Sequence, residues 1–299
     1  MRYLIFLLLF TVLSASGQEI ALTFDDAPRN DTQLFSGQER SKKLIENLKK
    51  AQVPDALFFV VTGQINEQNH TRLNDYMAAG FHLANHSHSH WSADRTEIEK
   101  YLADIAKADS ILQKFENFIP LFRYPYLHEG KTRETRDPIR NYLDKHGYNN
   151  GYVTIDNYDW YMDHLLQRAL KEGKQVNYEI LKDLYINTLW QAITFYDDIA
   201  LKTLGRSPKH VLLLHENDLA ALFIADLVKY IRAQSWKIIS PQEAYTDPIA
   251  STIPDVLFNN QGRVAAIAKS EGWKIKDLIL DSEDEKYLDD LFESKKVFR

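Results

Sequence analysis

The chain has 299 residues, 44% of them hydrophobic and 12% aromatic, which suits a folded unit of enzyme size and excludes a disordered chain. Its formal net charge of -6 would repel a phosphate backbone, so nucleic acid is excluded as the expected partner. With no cysteine, disulfides and a lipid-bearing cysteine are excluded, and any metal must be held by histidine and carboxylate.

Residues 1–17 read MRYLIFLLLFTVLSASG: one arginine, an apolar run, then small residues. That pattern predicts a secretory signal peptide, and the run is shorter than the roughly 20 residues that span a bilayer. The expected destination is secreted or periplasmic, with no membrane span once the signal is removed. Apolar runs then alternate with amphipathic stretches. Strands are expected over 19–24, 56–61, 81–84, 121–124, 152–155 and 211–215, with a last one at 236–239. Helices are expected over 39–51, 72–79, 95–118, 133–146 and 219–233, two of them closing at Gly80 and Gly147. Strand and helix in strict succession predict a parallel α/β sheet, as a barrel or doubly wound.

Two segments fall outside this alternation. Residues 161–204 read as an inserted helical pair, broken near Gly173, lying over one end of the barrel. The tail after Ser240 carries Pro241, Pro248 and Pro254 and two helical patterns, around 264–268 and 285–292. The expected organisation is one catalytic unit over 18–245 and an extension over 246–299 that serves as packing or lid.

In parallel α/β folds, reactive groups collect where loops leave the C-terminal ends of strands. Asp25 and Asp26 follow the first strand, His86 to His90 the third, Arg123 to Tyr126 the fourth and Asp156 to Trp160 the fifth; His215 ends the sixth. The run His86-Ser-His-Ser-His90 spaces two imidazoles four residues apart, which would put both rings on one side of a helical turn. With a carboxylate they would make a His-His-Asp face that leaves coordination positions open, as a catalytic site requires. His88, between them, is expected to point elsewhere. Adjacent side chains leave the backbone in different directions, so one of Asp25 and Asp26 can bind metal while the other takes a proton from the attacking water. The blander readings are a surface histidine patch, a turn pair ahead of Pro28, core positions for Trp160 and Leu213, and a helix N-cap at Asp156.

These clusters resemble the polysaccharide deacetylases of the NodB homology group, carbohydrate esterase family 4, from residue 20 to about 245. The five motifs that carry the resemblance are Thr23-Phe24-Asp25-Asp26, His86-Ser87 to His90, Arg123-Tyr124-Pro125-Tyr126, Asp156-Asn-Tyr-Asp159-Trp160 and Leu213-Leu214-His215. The resemblance implies a distorted (β/α) barrel, here with a helical insertion after the fourth motif and a C-terminal helical extension. It implies a divalent metal, zinc, on Asp26, His86 and His90, with Asp25 as general base and His215 as general acid. Arg123 would hold Asp25 ionised and oriented, and Asp159 would do the same for His215. The backbone N–H of Tyr126 would stabilise the oxyanion, while Trp160 and Leu213 would wall a pocket for the acetyl methyl. The expected substrate is an acetylated polysaccharide or oligosaccharide.

One departure stands out: the first motif continues as Ala27-Pro28 where the family has Gly-Pro. If that position needs φ > 0, alanine costs roughly 1 kcal/mol and shifts Asp25. Two other classes compete: a carbohydrate-binding homologue without turnover, and an amidohydrolase acting on small cyclic amides. Retention of both Asp25 and His215 opposes the first, since binding needs neither; an exported location and the five-motif set oppose the second.

Overall fold

The computed structural model describes residues 17–299; apart from Gly17, the expected signal peptide lies outside that range. Among the described residues no helix is long and apolar enough to cross a membrane. Strands β1 (Glu19–Ala27), β2 (Leu57–Val60), β3 (His82–Asn85), β4 (Phe118–Phe122), β5 (Asn149–Asn150) and β6 (Lys209–His215) run in the order β5-β4-β3-β2-β1-β6, and β7 (Lys237–Ile238) pairs with β1. Each pairing is parallel. The chain just after β5 meets β6 through a bridge between Ile155 and Leu212, which curls the sheet into the expected distorted (β/α) barrel.

Sequence dictates this layout locally. Ile20 to Phe24 are all buried, as a strand covered on both faces requires. Helix α1 (Gly37–Lys50) starts at a capping box between Ser36 and Glu39, which satisfies two backbone donors reciprocally. Its apolar face packs on α7 (Asp218–Ala233), while Phe24, Phe58 and Tyr76 stack at centroid spacings of 5.1 and 3.9 Å and bind α2 (His70–Ala78) to the sheet. Gly80, which ends the following turn, sits at φ 87°, a backbone state that costs glycine least.

Three local expectations need correction. The helix foreseen over 95–118 is α3, only Ile98–Leu112, and Phe118 already belongs to β4. Asn117 turns the chain onto the sheet: its carbonyl accepts from Leu83 N–H at 3.0 Å and its side-chain amide donates to the Phe81 carbonyl at 3.0 Å. The strand foreseen over 152–155 does not form: β5 lies upstream at Asn149–Asn150, and within 152–155 only the Ile155 bridge joins the sheet. The Arg123 guanidinium takes the Gly151 carbonyl at 2.6 Å and the Tyr245 hydroxyl takes that of Tyr152 at 3.0 Å, which diverts both from a ladder. Finally, Asp156 is not an N-cap, because helix α5 (Asp159–Lys171) begins three residues later with Tyr158 in that position.

After α4 (Arg133–Lys145) and β5, helices α5 and α6 (Tyr178–Leu204) form the pair foreseen over 161–204. The first turn of α5 enters the cleft at the C-terminal ends of the strands, while α6 buries Leu181 to Ala200 in the main core against α7 and α9 (Arg263–Ser270). Beyond α8 (Pro241–Ala244), the tail adds α9 and α10 (Glu285–Ser294). Val264, Ala265 and Ala268 of α9 join that same core.

Candidate active site

The C-terminal ends of β1, β3, β4 and β6 and the start of α5 surround one cleft of about 580 Å3, lined among others by Asp25, Asp26, His86, His90, Tyr126, Trp160, Leu213 and His215. Asp26, His86 and His90 converge: one ligand atom from each lies within 4.8 Å of the other two. His90 Nε2 is 3.2 Å and His86 Nε2 3.8 Å from Asp26 Oδ1. The two rings do not meet on a helical turn, as their spacing suggested, because residues 86–90 form a loop in which Ser87 and His90 take φ of 66° and 54°. The turn is fixed by hydrogen bonds, with Asn85 Oδ1 accepting from Ser87 N–H at 2.8 Å and Asp104 accepting the N–H groups of His88 and Ser89 at 2.9 Å each. His88 turns aside to pair its Nδ1 with the Thr62 hydroxyl at 2.9 Å.

Backbone strain gathers in the same place. Asp26, Ser87, His90, Tyr126 and Leu127 all have positive φ, between 54° and 71°, which non-glycine residues hold only where the surroundings impose it. Ala27 is not among them, so the cost foreseen for alanine at that motif position does not arise; the left-handed residue is Asp26 itself.

The donor set fits a divalent cation. His86 Nδ1 lies 2.8 Å from the Arg123 carbonyl, and since a carbonyl only accepts, the proton sits on Nδ1 and the lone pair of Nε2 faces the cleft. Burial lowers His86 and His90 to about 4, leaving both rings neutral. Burial opposes ionisation of Asp26, yet the surrounding imidazoles hold it down at about 2. Two neutral imidazoles and one carboxylate are a catalytic-type ligand set. Asp26 Oδ1 is moreover a buried oxygen with no hydrogen-bond partner, a costly state that a bound cation would relieve.

Asp25 leaves β1 beside them, with Oδ2 3.6 Å from His86 Nε2 and Oδ1 2.7 Å from Arg123 Nη1. Arg123 was expected to keep Asp25 ionised; it does pull in that direction, but burial outweighs it and raises the carboxyl to about 6. Arg123 itself is fully buried and also binds the Thr23 hydroxyl at 3.0 Å and the Tyr245 hydroxyl at 3.0 Å. Across the cleft, Asp159 Oδ1 lies 2.6 Å from His215 Nδ1, and its Oδ2 accepts from Asn217 Nδ2 at 2.9 Å and His215 N–H at 3.0 Å. Burial opposes the imidazolium, but Asp159 prevails and raises His215 to about 9. One side thus holds a carboxyl placed to accept a proton, the other an imidazolium placed to give one.

Tyr126 stands 56% exposed at the rim with its ring 4.6 Å from that of His90, Trp160 is 36% exposed, and Leu213 is buried in the floor. Sequence reasoning missed several supports. Thr23 and Tyr245 brace Arg123, and Asn217 braces Asp159. A buried network behind β6 holds the loop that carries Arg29: Glu216 accepts from Arg29 N–H at 2.6 Å and Tyr76 at 2.7 Å and pairs with Arg72, while Asp218 accepts from Arg40 at 3.1 Å. A run Glu216-Asn217-Asp218 directly after His215 was the available signal.

Residues 14–151 match the family model for polysaccharide deacetylase. No curated protein matches the chain. Among solved structures the fold is similar to a family 4 carbohydrate esterase from Streptomyces lividans in complex with acetate, at 21% identity and TM-score 0.51 over 77% of this chain and 96% of that one. A family 4 acetyl xylan esterase from Clostridium thermocellum in complex with a cobalt ion aligns at 18% identity and TM-score 0.52, over 77% and 91% of the two chains. A family 4 pseudoenzyme from Bacillus anthracis aligns at 16% identity and TM-score 0.53, over 77% and 66%. At these identities the likeness concerns the fold.

Proposed function

We propose, from the match of residues 14–151 to the polysaccharide deacetylase family model, that the chain is an exported, metal-dependent hydrolase that removes N- or O-acetyl groups from a cell-wall or extracellular glycan. The observation that carries this reading is the meeting of three groups in one cleft: the Asp26, His86 and His90 donors, the Asp25–Arg123 pair and the His215–Asp159 pair. The leader-like sequence of residues 1–17 supports export.

Asp26, His86 and His90 would hold a divalent cation, zinc being suited to this donor set, and when bound it would supply Lewis-acid polarisation to the attacking water and the acetyl carbonyl. Asp25 takes the proton of that water as it adds to the carbonyl carbon, and Arg123 fixes the carboxyl and balances its charge. His215, charged and aligned by Asp159, gives its proton to the leaving nitrogen or oxygen as the bond to carbon breaks and acetate departs. The Tyr126 N–H serves the oxyanion, and Trp160 and Leu213 enclose the methyl group and exclude larger acyl chains.

Acetate release tests this on an N-acetylated chitooligosaccharide, a peptidoglycan fragment, an acetylated xylan and a cyclic imide, each with and without chelator. Acetate from at least one glycan, abolished by chelation, is the expected result. Ring opening of the imide without acetate from any glycan would mark an amidohydrolase of small cyclic substrates, and binding without turnover would mark a carbohydrate-binding homologue.

A further inference from the structure

The C-terminal extension supplies a wall of the cleft as well as packing. Asn260 lines the cavity that holds Asp26, His90 and His215, from a segment outside all five motifs. Its neighbours are both tied down. Asn259 Nδ2 donates to the two Asp94 oxygens at 2.8 and 2.9 Å, and Asn259 Oδ1 accepts from Glu129 N–H at 3.2 Å. On the other side, Gln261 Nε2 donates to Glu283 at 2.9 Å, and Gln261 Oε1 and Glu283 Oε1 each lie 2.6 Å from the Tyr196 hydroxyl. The Tyr196 hydroxyl thus ties Gln261 to Glu283, whose carboxyl burial pushes upward. Between these anchors Asn260 sits at φ 65°, exposed at the cleft, with its side chain hydrogen-bonded to His128. Asparagine is one of the few non-glycine residues that take this backbone state readily.

A carboxamide neither accepts nor gives a proton in the reaction. With its oxygen turned to His128, it still offers two N–H donors on a short, two-torsion stem, which a sugar hydroxyl oxygen can accept. Asp156 is buried in the same wall, where burial first and Glu283 second push its carboxyl well above the ordinary range. We propose that Asn260 is a specificity-determining residue: its carboxamide hydrogen-bonds a hydroxyl of the sugar next to the acetylated one, and Asn259 is the positioning residue that holds it there. The inference rests on the activity proposed above and narrows its substrate to an oligosaccharide rather than a single acetylated sugar.

The test compares the native protein with Asn260→Ala, Asn259→Ala and the double variant on acetylated tetrasaccharides of chitin, peptidoglycan and xylan type. Asn260→Ala should raise KM about five- to tenfold on the best tetrasaccharide, the scale of one neutral hydrogen bond, with most of the loss in KM. Asn259→Ala should do the same, and the double variant should be no worse than the poorer single, because both act through one contact. Additive losses accompanied by a lower Tm would assign Asn259 and Asn260 to folding alone and overturn the proposal. So would a KM for Asn260→Ala within about twofold of the native value. If the native protein releases no acetate, the activity reading fails separately; calorimetric titration of the same tetrasaccharides then decides the Asn260 contact, which is refuted if none binds or if Asn260→Ala binds equally well.

Discussion

Replacing Asp159 with asparagine keeps the shape of the side chain and removes only its charge. His215 sits at about 9 against an ordinary 6.5 because Asp159 outweighs burial. That separation is worth roughly 3 kcal/mol at about 1.4 kcal/mol per pH unit. Without the carboxylate, burial is opposed only by Asp26 and Asp25, and His215 falls toward its ordinary value. At pH 8 the protonated fraction would drop from about nine-tenths to about three-hundredths, a loss of roughly thirtyfold in the general acid. The sign follows: a raised histidine is active while protonated, so kcat/KM falls as pH rises through its value, and Asp159→Asn should move this alkaline limb down by about two units or more. A cation on Asp26, His86 and His90 pulls both limbs to lower pH together, so the distance between the native and variant profiles is the quantity to read. The same pair contributes to folding stability below about pH 6.5, and that contribution fades as pH rises through about 9. The assay is the pH dependence of kcat/KM for acetate release from pH 5 to 10. Alkaline limbs that agree within about half a unit would refute the role given to Asp159.

Asp25→Asn should lower kcat by about a hundredfold or more while oligosaccharide binding, measured by calorimetry, persists. In the native protein the rate should fall as pH drops through about 6 or below, since burial raises Asp25 and protonation removes the base; a rate flat from pH 7 to 4 would contradict this. Chelation, or Asp26→Ala, should abolish acetate release and leave the far-ultraviolet circular dichroism intact, because the ligands stand at the rim of a barrel whose core lies elsewhere. Activity that survives exhaustive dialysis against chelator, with metal absent by elemental analysis, would remove the cation from the scheme. Glu216→Ala strips the buried partner from Arg72 and Arg40 and should cost about 3–5 kcal/mol in urea unfolding, the usual penalty for orphaning a buried charge; a loss below about 1 kcal/mol would show that the network is dispensable.

Much of this architecture is legible in the residues. The alternating runs give the barrel because buried parallel strands are apolar on both faces, and the polar clusters stand out because they interrupt those runs where loops begin. Asp25, Asp26, His86, His90, Arg123, Asp159 and His215 all meet in the cleft or directly behind it. What stays hidden is conformation set by distant partners. Nothing in His86-Ser-His-Ser-His90 announces a left-handed turn, which depends on Asn85 and on Asp104 of α3. The shortened β5 depends on Arg123 and Tyr245 competing for carbonyls. Asn260 is invisible for the same reason: a polar residue among prolines reads as loop until Asp94 and Glu283 are seen to anchor its neighbours.

Arg123 ties catalysis to architecture. One guanidinium spans the hollow of the barrel from Thr23 and Asp25 on one side to Gly151 and the Tyr245 hydroxyl on the other, so its removal would unmoor the base and loosen the seam where the sheet curls shut. Asp25 and His215 are in turn the partners of buried charges, so a barrel without Asp25 would strand the Arg123 guanidinium and one without His215 would strand the Asp159 carboxylate. The groups proposed for turnover therefore also neutralise the charges around which the barrel closes, and a barrel that only attaches to its ligand would need substitute partners at both places.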